Sequence, residues 1–282
     1  MMYEYSVFNY HVTPRCNYQC IYCFGKFKGR EPSFDSAKKI VDNVASYFVS
    51  RGISNGRINF SGGEPLLYPQ LDELIDYTNA SGVSVSVISN ASLLTVERIR
   101  AWKGKVSCVG ISIDSLSDVA NRLIGRCSAD HVIDRSHLLA LSQAIHECGI
   151  ELKINTVVSK RNLDEDFSSM YRILKPDRIK LFQIHLVQGV NDRAIPERIT
   201  DDEFRSFRSK YEAFGSIIVS EPEGTMENSY LMINPEGEFQ LNNDGEYQTF
   251  GSLITTPLEE ILKNVPLDSG RFDARYNGRR TL

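Results

Sequence analysis

Short β-type runs recur along the first two thirds of the chain, each followed by a longer run with helical apolar spacing. The expected strands are Tyr5–Val12, Arg57–Phe60, Val83–Ser89, Val106–Ile113, Glu151–Val158 and Asp177–Val187. The expected helices are Asp35–Ser50, Gln70–Ala80, Thr95–Trp102, His131–Cys148 and Leu163–Leu174. Asp35 and Thr95 stand where N-caps belong, and Gly52, Gly82 and Gly149 follow helices as C-terminal caps do. A strand that returns through a helix runs parallel to its predecessor, so the alternation implies a parallel sheet covered by helices. About six β/α units are legible, short of the eight that close a TIM barrel. The expected class is therefore α/β, a partial (β/α)6 barrel with a C-terminal extension.

The strands share a second regularity. Ile58 and Phe60 alternate with Arg57, Asn59 and Ser61; Ile111 and Ile113 alternate with Gly110, Ser112 and Asp114. Leu152, Ile154, Thr156 and Val158 alternate with Lys153, Asn155 and Val157. A strand covered on both faces would be nearly continuously apolar. One apolar and one small or polar face suits a curved sheet whose concave side lines a wet cavity. The alternative is an open sheet with one solvated face. After residue 188 the texture changes: a loop over Gly189–Pro196, a helix over Thr200–Phe214 opening on a capping-box pattern, and a hairpin over Ser229–Gln240 that turns at Asn234–Gly237. The expected division is a core over 1–188 and an extension over 189–282 that closes the substrate site. The tail from Arg271 is basic and reads as mobile.

With 32 basic and 36 acidic side chains the net charge is −4, which argues against a protein that coats nucleic acid. No apolar run approaches the roughly 20 residues that span a bilayer, and no signal-peptide pattern opens the chain, so the expectation is a cytoplasmic protein without membrane contact. Six cysteines in 282 residues are not a disulfide framework. Three of them form Cys16-x3-Cys20-x2-Cys23, directly after the first strand. Three thiolates so spaced can hold three corners of a cubane [4Fe–4S] cluster, leaving the fourth iron open to another ligand. That suggests catalysis rather than electron carriage. The alternative, a structural zinc site, needs a fourth ligand that the sequence does not supply nearby. Cys108, Cys127 and Cys148 read as small core or surface residues.

Cys-x3-Cys-x2-Cys followed by the aromatic Phe24 resembles the signature of radical S-adenosylmethionine (SAM) enzymes, and Ser61-Gly62-Gly63-Glu64-Pro65 after the second strand resembles their Gly-Gly-Glu stretch. The resemblance narrows to viperins. It runs from about Phe8 to Leu241 and rests on Asn9-Tyr10-His11, Ile58–Pro65, Val87-Ile88-Ser89-Asn90, Leu123-Ile124-Gly125-Arg126, Lys153-Ile154-Asn155, Lys180-Leu181-Phe182-Gln183 and Ser229-Tyr230-Leu231. It departs in lacking the membrane-anchoring helix of animal viperins and in carrying Asn242-Asn243-Asp244 where a basic stretch is usual.

The resemblance implies a reaction. A reduced cluster cleaves SAM, a 5′-deoxyadenosyl radical takes the ribose 4′ hydrogen of CTP, UTP or GTP, and the 3′ hydroxyl leaves as water. The product is a 3′-deoxy-3′,4′-didehydro nucleotide that terminates viral RNA chains. By the same resemblance Gly62, Gly63, Glu64 and Asn90 bind SAM, and Arg126 with Ser112 meets its carboxylate, a phosphate contact being the alternative for Arg126. Asn9 and Asn155 reach the substrate, and Tyr230 sits near the ribose, where its phenol can pass a proton or a hydrogen atom. An electron donor is a required partner.

The basic residues add independent support. Lys153 and Asn155 share one strand face, and Arg178 and Lys180 share a face on the next strand. A buried cation is costly unless an anion meets it, and a triphosphate is such an anion. The alternative is a solvated rim of charge. No Walker-type phosphate loop occurs, so side chains would hold the phosphates. Two rival functions stand beside this one: radical SAM chemistry on a peptide or a different nucleotide, and a non-catalytic iron–sulfur protein. Gly62-Gly63-Glu64 speaks against the second, because an electron carrier needs no SAM site.

Overall fold

The computed structural model describes residues 4–25, 29–129 and 131–276. Strands β1 (Val7–His11), β2 (Arg57–Ser61), β3 (Ser84–Ser89), β4 (Cys108–Ser112), β5 (Glu151–Val158) and β6 (Arg178–Gln183) alternate with helices in the expected way. The helices are α1 (Phe34–Ser50), α2 (Leu71–Ala80), α3 (Val96–Ala101), α4 (Asp118–Leu123), α5 (Arg135–Glu147) and α6 (Ser168–Leu174). Beyond them come α7 (Asp201–Ser209), β7 (Ile218–Glu221), β8 (Met232–Ile233), β9 (Glu238–Asn243), β10 (Glu246–Ser252), α8 (Leu258–Leu262) and α9 (Ser269–Tyr276).

The differences from expectation are local and have local causes. Helix α1 is capped by Ser33, whose hydroxyl accepts the Ser36 N–H at 3.2 Å, and not by Asp35. The run from His131 becomes helical only at Arg135, because Asp134 accepts the Ser136 N–H at 2.8 Å and so fixes the start; His131 forms a bridge with Ser128 instead. Helix α6 begins at Ser168, whose N–H is held by Asp166 at 2.8 Å. Helix α4 is one and a half turns long, too short for an apolar period to register, and β7 and β10 form where the sequence pattern indicates no strand. Thr95 and the Thr200–Glu203 capping box behave as expected, and Gly52, Gly82 and Gly149 adopt φ of 66°, 76° and 69° after their helices. The segment from Arg271 to Tyr276 is helical, contrary to its reading as a mobile tail; the rest of that tail lies outside the described residues.

The chain forms two compact units. The first comprises Met1–Arg15, Gly25–Ser86 and Thr225–Leu282, and the second Cys16–Phe24 and Val87–Gly224. In the first, β1 pairs in parallel with β2 on one side and with β8 on the other, and the β8–β9–β10 ladder is antiparallel. Behind β1, Phe8 packs against Tyr47 and Phe48 of α1 at ring distances of 5.7 and 5.8 Å. In the second, β4, β5, β6 and β7 are all parallel, in that order. Alternation on β5 sorts its side chains as expected: Leu152, Ile154, Thr156 and Val158 are essentially inaccessible, while Lys153 and Val157 are partly exposed. Strand β3 runs from the first unit into the second at Val87.

Candidate active site

The second unit carries the cysteine motif. Residues 12–25 and 29–33 form no regular element apart from a short turn, so the described part of the loop is held by contacts rather than by a ladder. The Gln19 and Ile21 N–H groups donate to the carbonyls of Gly125 and Ile124 at 3.1 and 3.0 Å. Gly125 has φ of 76°, and a Cβ there would lie 2.2 Å from the Gln19 carbonyl oxygen, so glycine allows both the turn and the close approach. None of the six cysteines is joined in a disulfide. N–H donors approach two motif sulfurs: the Tyr18 backbone and Asn90 Nδ2 approach Cys16 Sγ at 3.3 and 3.9 Å, and Arg126 Nη1 approaches Cys20 Sγ at 3.8 Å. Burial pushes the Cys20 thiol pKa up, with the Arg126 charge opposing that rise.

Arg126 is buried among several partners of the chain itself. Its Nε lies 3.0 Å from Asp114 Oδ2, its Nη2 donates to the Ser112 carbonyl at 2.5 Å, and its guanidinium sits 5.3 Å from the Tyr18 ring centre. Burial alone would lower its pKa; the Asp114 carboxylate, Cys20 and Tyr22 more than reverse this and hold it above the ordinary value. Asp114 also accepts the Tyr22 hydroxyl at 2.7 Å and the Val157 N–H at 2.7 Å. Asp114 falls on the polar face of its strand by alternation, a position that alone implies no role. Its signal was a carboxylate at the end of an otherwise small-residue strand face.

The same unit gathers the basic face. Gly110 pairs with Lys153 and Lys153 with Arg178; one row further on, Ser112 pairs with Asn155 and Asn155 with Lys180. Directly paired residues on parallel strands project to one side. Gly110 is spare for a reason: a Cβ there would lie 2.9 Å from Lys153 Cε, so the lysine stem crosses the glycine. Asn155 and Lys180 are 9% and 6% exposed. Lys180 pairs with Glu221 on β7 at 2.5 Å, a carboxylate outside every sequence motif. The buried charge of Lys180 is thus met within the chain by Glu221, as that of Arg126 is by Asp114, so burial by itself does not require an external anion at either cation.

The first unit holds the other expected site residues. The strand-end pairing of β1 and β2 continues past the ladder: Val12 donates to Ser61, Gly63 to Thr13 at 2.8 Å and Glu64 to Arg15 at 2.8 Å. Gly62 has φ of 148°, and a Cβ on it would meet the Thr13 carbonyl oxygen at 2.6 Å. Glu64 is fully buried, and its carboxylate caps the short 3-10 turn Pro65–Leu67. Asn9 and Asn59 face each other in register; Asn59 donates to Asn9 at 2.8 Å and accepts from Ser86, and Asn9 Nδ2 donates to the Leu231 carbonyl at 3.3 Å. That last contact ties Asn9 to the segment of Tyr230. The Tyr230 ring lies 4.1 Å from the Arg275 guanidinium, which also binds the Ser229 carbonyl and hydroxyl and the Thr225 carbonyl. Neither Asn59 nor Arg275 stands out as a site residue from sequence alone.

Three thiols within eight residues, with N–H donors turned towards two of them, are a donor set that fits thiolate ligation of iron. No group of three or more His, Cys, Asp or Glu side chains drawn together for a single ion occurs among the described residues. Thiolates on one tetrahedral ion stand only about 3.8 Å apart, and those on the separate corners of a cubane stand wider.

Residues 10–174 match the Radical SAM superfamily. The chain is similar in fold to SuiB of Streptococcus suis bound to its precursor peptide SuiA (TM-score 0.71, 16% identity, 98% of this chain and 67% of that one). It is likewise similar to anSMEcpe with bound AdoMet (TM-score 0.69, 12% identity, 92% and 77%). The chain thus belongs to the radical SAM superfamily and, within it, to the viperin-like nucleotide dehydratases. It is 30% identical over 273 residues to the S-adenosylmethionine-dependent nucleotide dehydratase of Flammeovirga pacifica, across 94% of this chain and 92% of the relative. It is 30% identical over 276 residues to that of Thermoplasmatales archaeon (strain ISO4-H5), across 97% and 94%, and 30% identical over 281 residues to the nucleotide dehydratase RSAD2 of Danio rerio, across 95% and 76%. No described helix is long and apolar enough to cross a membrane.

Proposed function

We propose that the chain is a radical SAM dehydratase that converts CTP, UTP or GTP to its 3′-deoxy-3′,4′-didehydro form. The observation that carries this reading is that one compact unit holds both the cysteine loop and the cationic sheet face, joined at Ser112–Asp114, where Arg126 binds the Ser112 carbonyl beside Cys20. When bound, the cluster and SAM supply an electron and a carbon-centred radical; the remaining work falls to side chains of the protein. Cys16, Cys20 and Cys23 ligate the cluster. Gly62 and Gly63 bring backbone close to the methionine end of SAM, with Glu64, Asn90, Ser112 and Arg126 around it. Lys153, Asn155, Arg178 and Lys180 orient the triphosphate, and Asn9 orients the ribose. Tyr230, contributed by the segment after residue 188, supplies either the proton with which the 3′ hydroxyl leaves as water or the one electron that the remaining ribose radical needs. The reaction runs in the cytoplasm with an electron donor as partner.

The test is mass spectrometry of anaerobically reconstituted, reduced protein given SAM with each nucleoside triphosphate in turn, and with cytidine. A product lighter than its substrate by one water, formed with 5′-deoxyadenosine and only from triphosphates, is the expected result. 5′-Deoxyadenosine without any dehydrated nucleotide would reject the substrate class, and equal turnover of CTP and cytidine would reject the phosphate role.

A further inference from the structure

The Asp114 carboxylate is 2% exposed and holds three donors from three other segments of the second unit. The Val157 N–H comes from β5, the Tyr22 hydroxyl from the cysteine loop and the Arg126 Nε from the loop after α4. A fourth tie runs through its own carbonyl, which accepts Asn162 Nδ2 at 2.5 Å. Through two of these donors it reaches the cysteine motif from both sides. Tyr22 lies between Cys20 and Cys23, and Arg126 directs Nη1 at Cys20 Sγ. Asn191 adds a brace on the same residue, donating to the Tyr22 carbonyl at 3.0 Å.

Burying an ion pair is an expensive way to fix a loop, since a packed apolar pair often holds as well. What the pair provides that apolar packing cannot is a hydrogen-bond donor at a sulfur without net charge. The potential of an iron–sulfur cluster depends on local charge and on hydrogen bonds to its sulfurs. An uncompensated guanidinium beside Cys20 would favour the reduced, more negative cluster and make it a weaker reductant. Asp114 cancels that charge at 3.0 Å while aiming the guanidinium. We infer that Asp114 is a positioning residue for the cluster, acting through Arg126 and Tyr22 to hold the Cys20 loop and to keep the cluster strongly reducing. This rests on the reading of Cys16, Cys20 and Cys23 as cluster ligands.

The experiment is redox titration of the reconstituted cluster, followed by electron paramagnetic resonance without SAM, in the parent protein, Asp114→Asn, Arg126→Gln and Tyr22→Phe, with iron and sulfide content measured for each. Asp114→Asn exposes the Arg126 charge to the cluster, so its midpoint should move to a more positive potential. Arg126→Gln leaves the Asp114 charge alone, so its midpoint should move to a more negative one. Tyr22→Phe changes no charge and should move the midpoint less than either. Opposite shifts are a signature that loosened packing does not produce. If Asp114→Asn retains no cluster, Arg126→Gln decides by itself: a negative shift supports the proposal. Midpoints in both charge variants equal to the parent, or displaced in the same direction, would overturn it. A parent protein that assembles no cluster would instead overturn the ligand reading.

Discussion

Gly125→Ala tests whether the cysteine loop depends on close backbone docking. Glycine at φ of 76° is required there on two counts, the left-handed backbone and the 2.2 Å approach that a Cβ would make to the Gln19 carbonyl oxygen. The strain of an alanine at positive φ costs about 1 kcal/mol, the low end for such residues. Relieving the contact requires the Gln19–Cys20 backbone to withdraw by roughly 1 Å, because ordinary carbon–oxygen contacts begin beyond about 3.3 Å. That movement breaks the Gln19 and Ile21 hydrogen bonds to Gly125 and Ile124, each worth about 1 kcal/mol net. With the low end of an overpacking cost, about 1 kcal/mol, the total is about 4 kcal/mol.

Gly82 is the internal control. It has φ of 76° as well, but a Cβ there would meet nothing within 4 Å, so Gly82→Ala carries the strain alone. At roughly 2–4 °C per kcal/mol for a chain of this size, Gly82→Ala should lower the Tm of the metal-free protein by about 2–4 °C and Gly125→Ala by about 8–16 °C. Anaerobic thermal unfolding by circular dichroism measures both, and iron content after reconstitution should fall only in Gly125→Ala. Equal small losses of Tm in the two variants, with unchanged iron uptake, would refute the docking argument.

Lys180→Ala should cost about 3–5 kcal/mol of stability, because it strands the buried Glu221 carboxylate, and Lys180→Met with Glu221→Gln should restore most of the loss in urea unfolding. Tyr230→Phe keeps the ring against Arg275 but removes the hydroxyl; the ratio of dehydrated nucleotide to 5′-deoxyadenosine should fall on the order of a hundredfold in quantitative mass spectrometry. Burial lowers the His11 pKa from 6.5 to about 3, so between those values the unfolded chain binds a proton that the folded chain does not. Its contribution is therefore complete above pH 6.5 and declines by up to about 1.4 kcal/mol per pH unit below it; His11→Gln should flatten that slope in unfolding measured from pH 7.5 to 4.5.

How far residues alone reach depends on the range of the interaction that decides each feature. The bounds of β5 are legible to the residue because alternation is a property of neighbours, and Thr95 and Thr200 cap as read because a cap spans three residues. Asp134 displaced the start of α5 by the same short-range rule, applied to a competing carboxylate. The compact units, by contrast, cut across chain order, since β8 pairs with β1 across more than two hundred residues, and no local pattern encodes that. The site divides in the same way. Cysteine spacing, the Gly-Gly-Glu stretch and the cationic strand faces are short-range patterns set by what a ligand would demand. Asp114 meets Arg126 twelve positions later, and Glu221 meets Lys180 forty-one positions earlier. Both carboxylates answer a demand of the fold, that a buried cation not stand alone, and a sequence reading that considers only ligands assigns each cation to a ligand. A buried basic residue thus has two candidate partners from the outset, and for Lys180 the internal one is the acidic residue that the sheet register brings to the same face, two positions beyond its direct partner Val219.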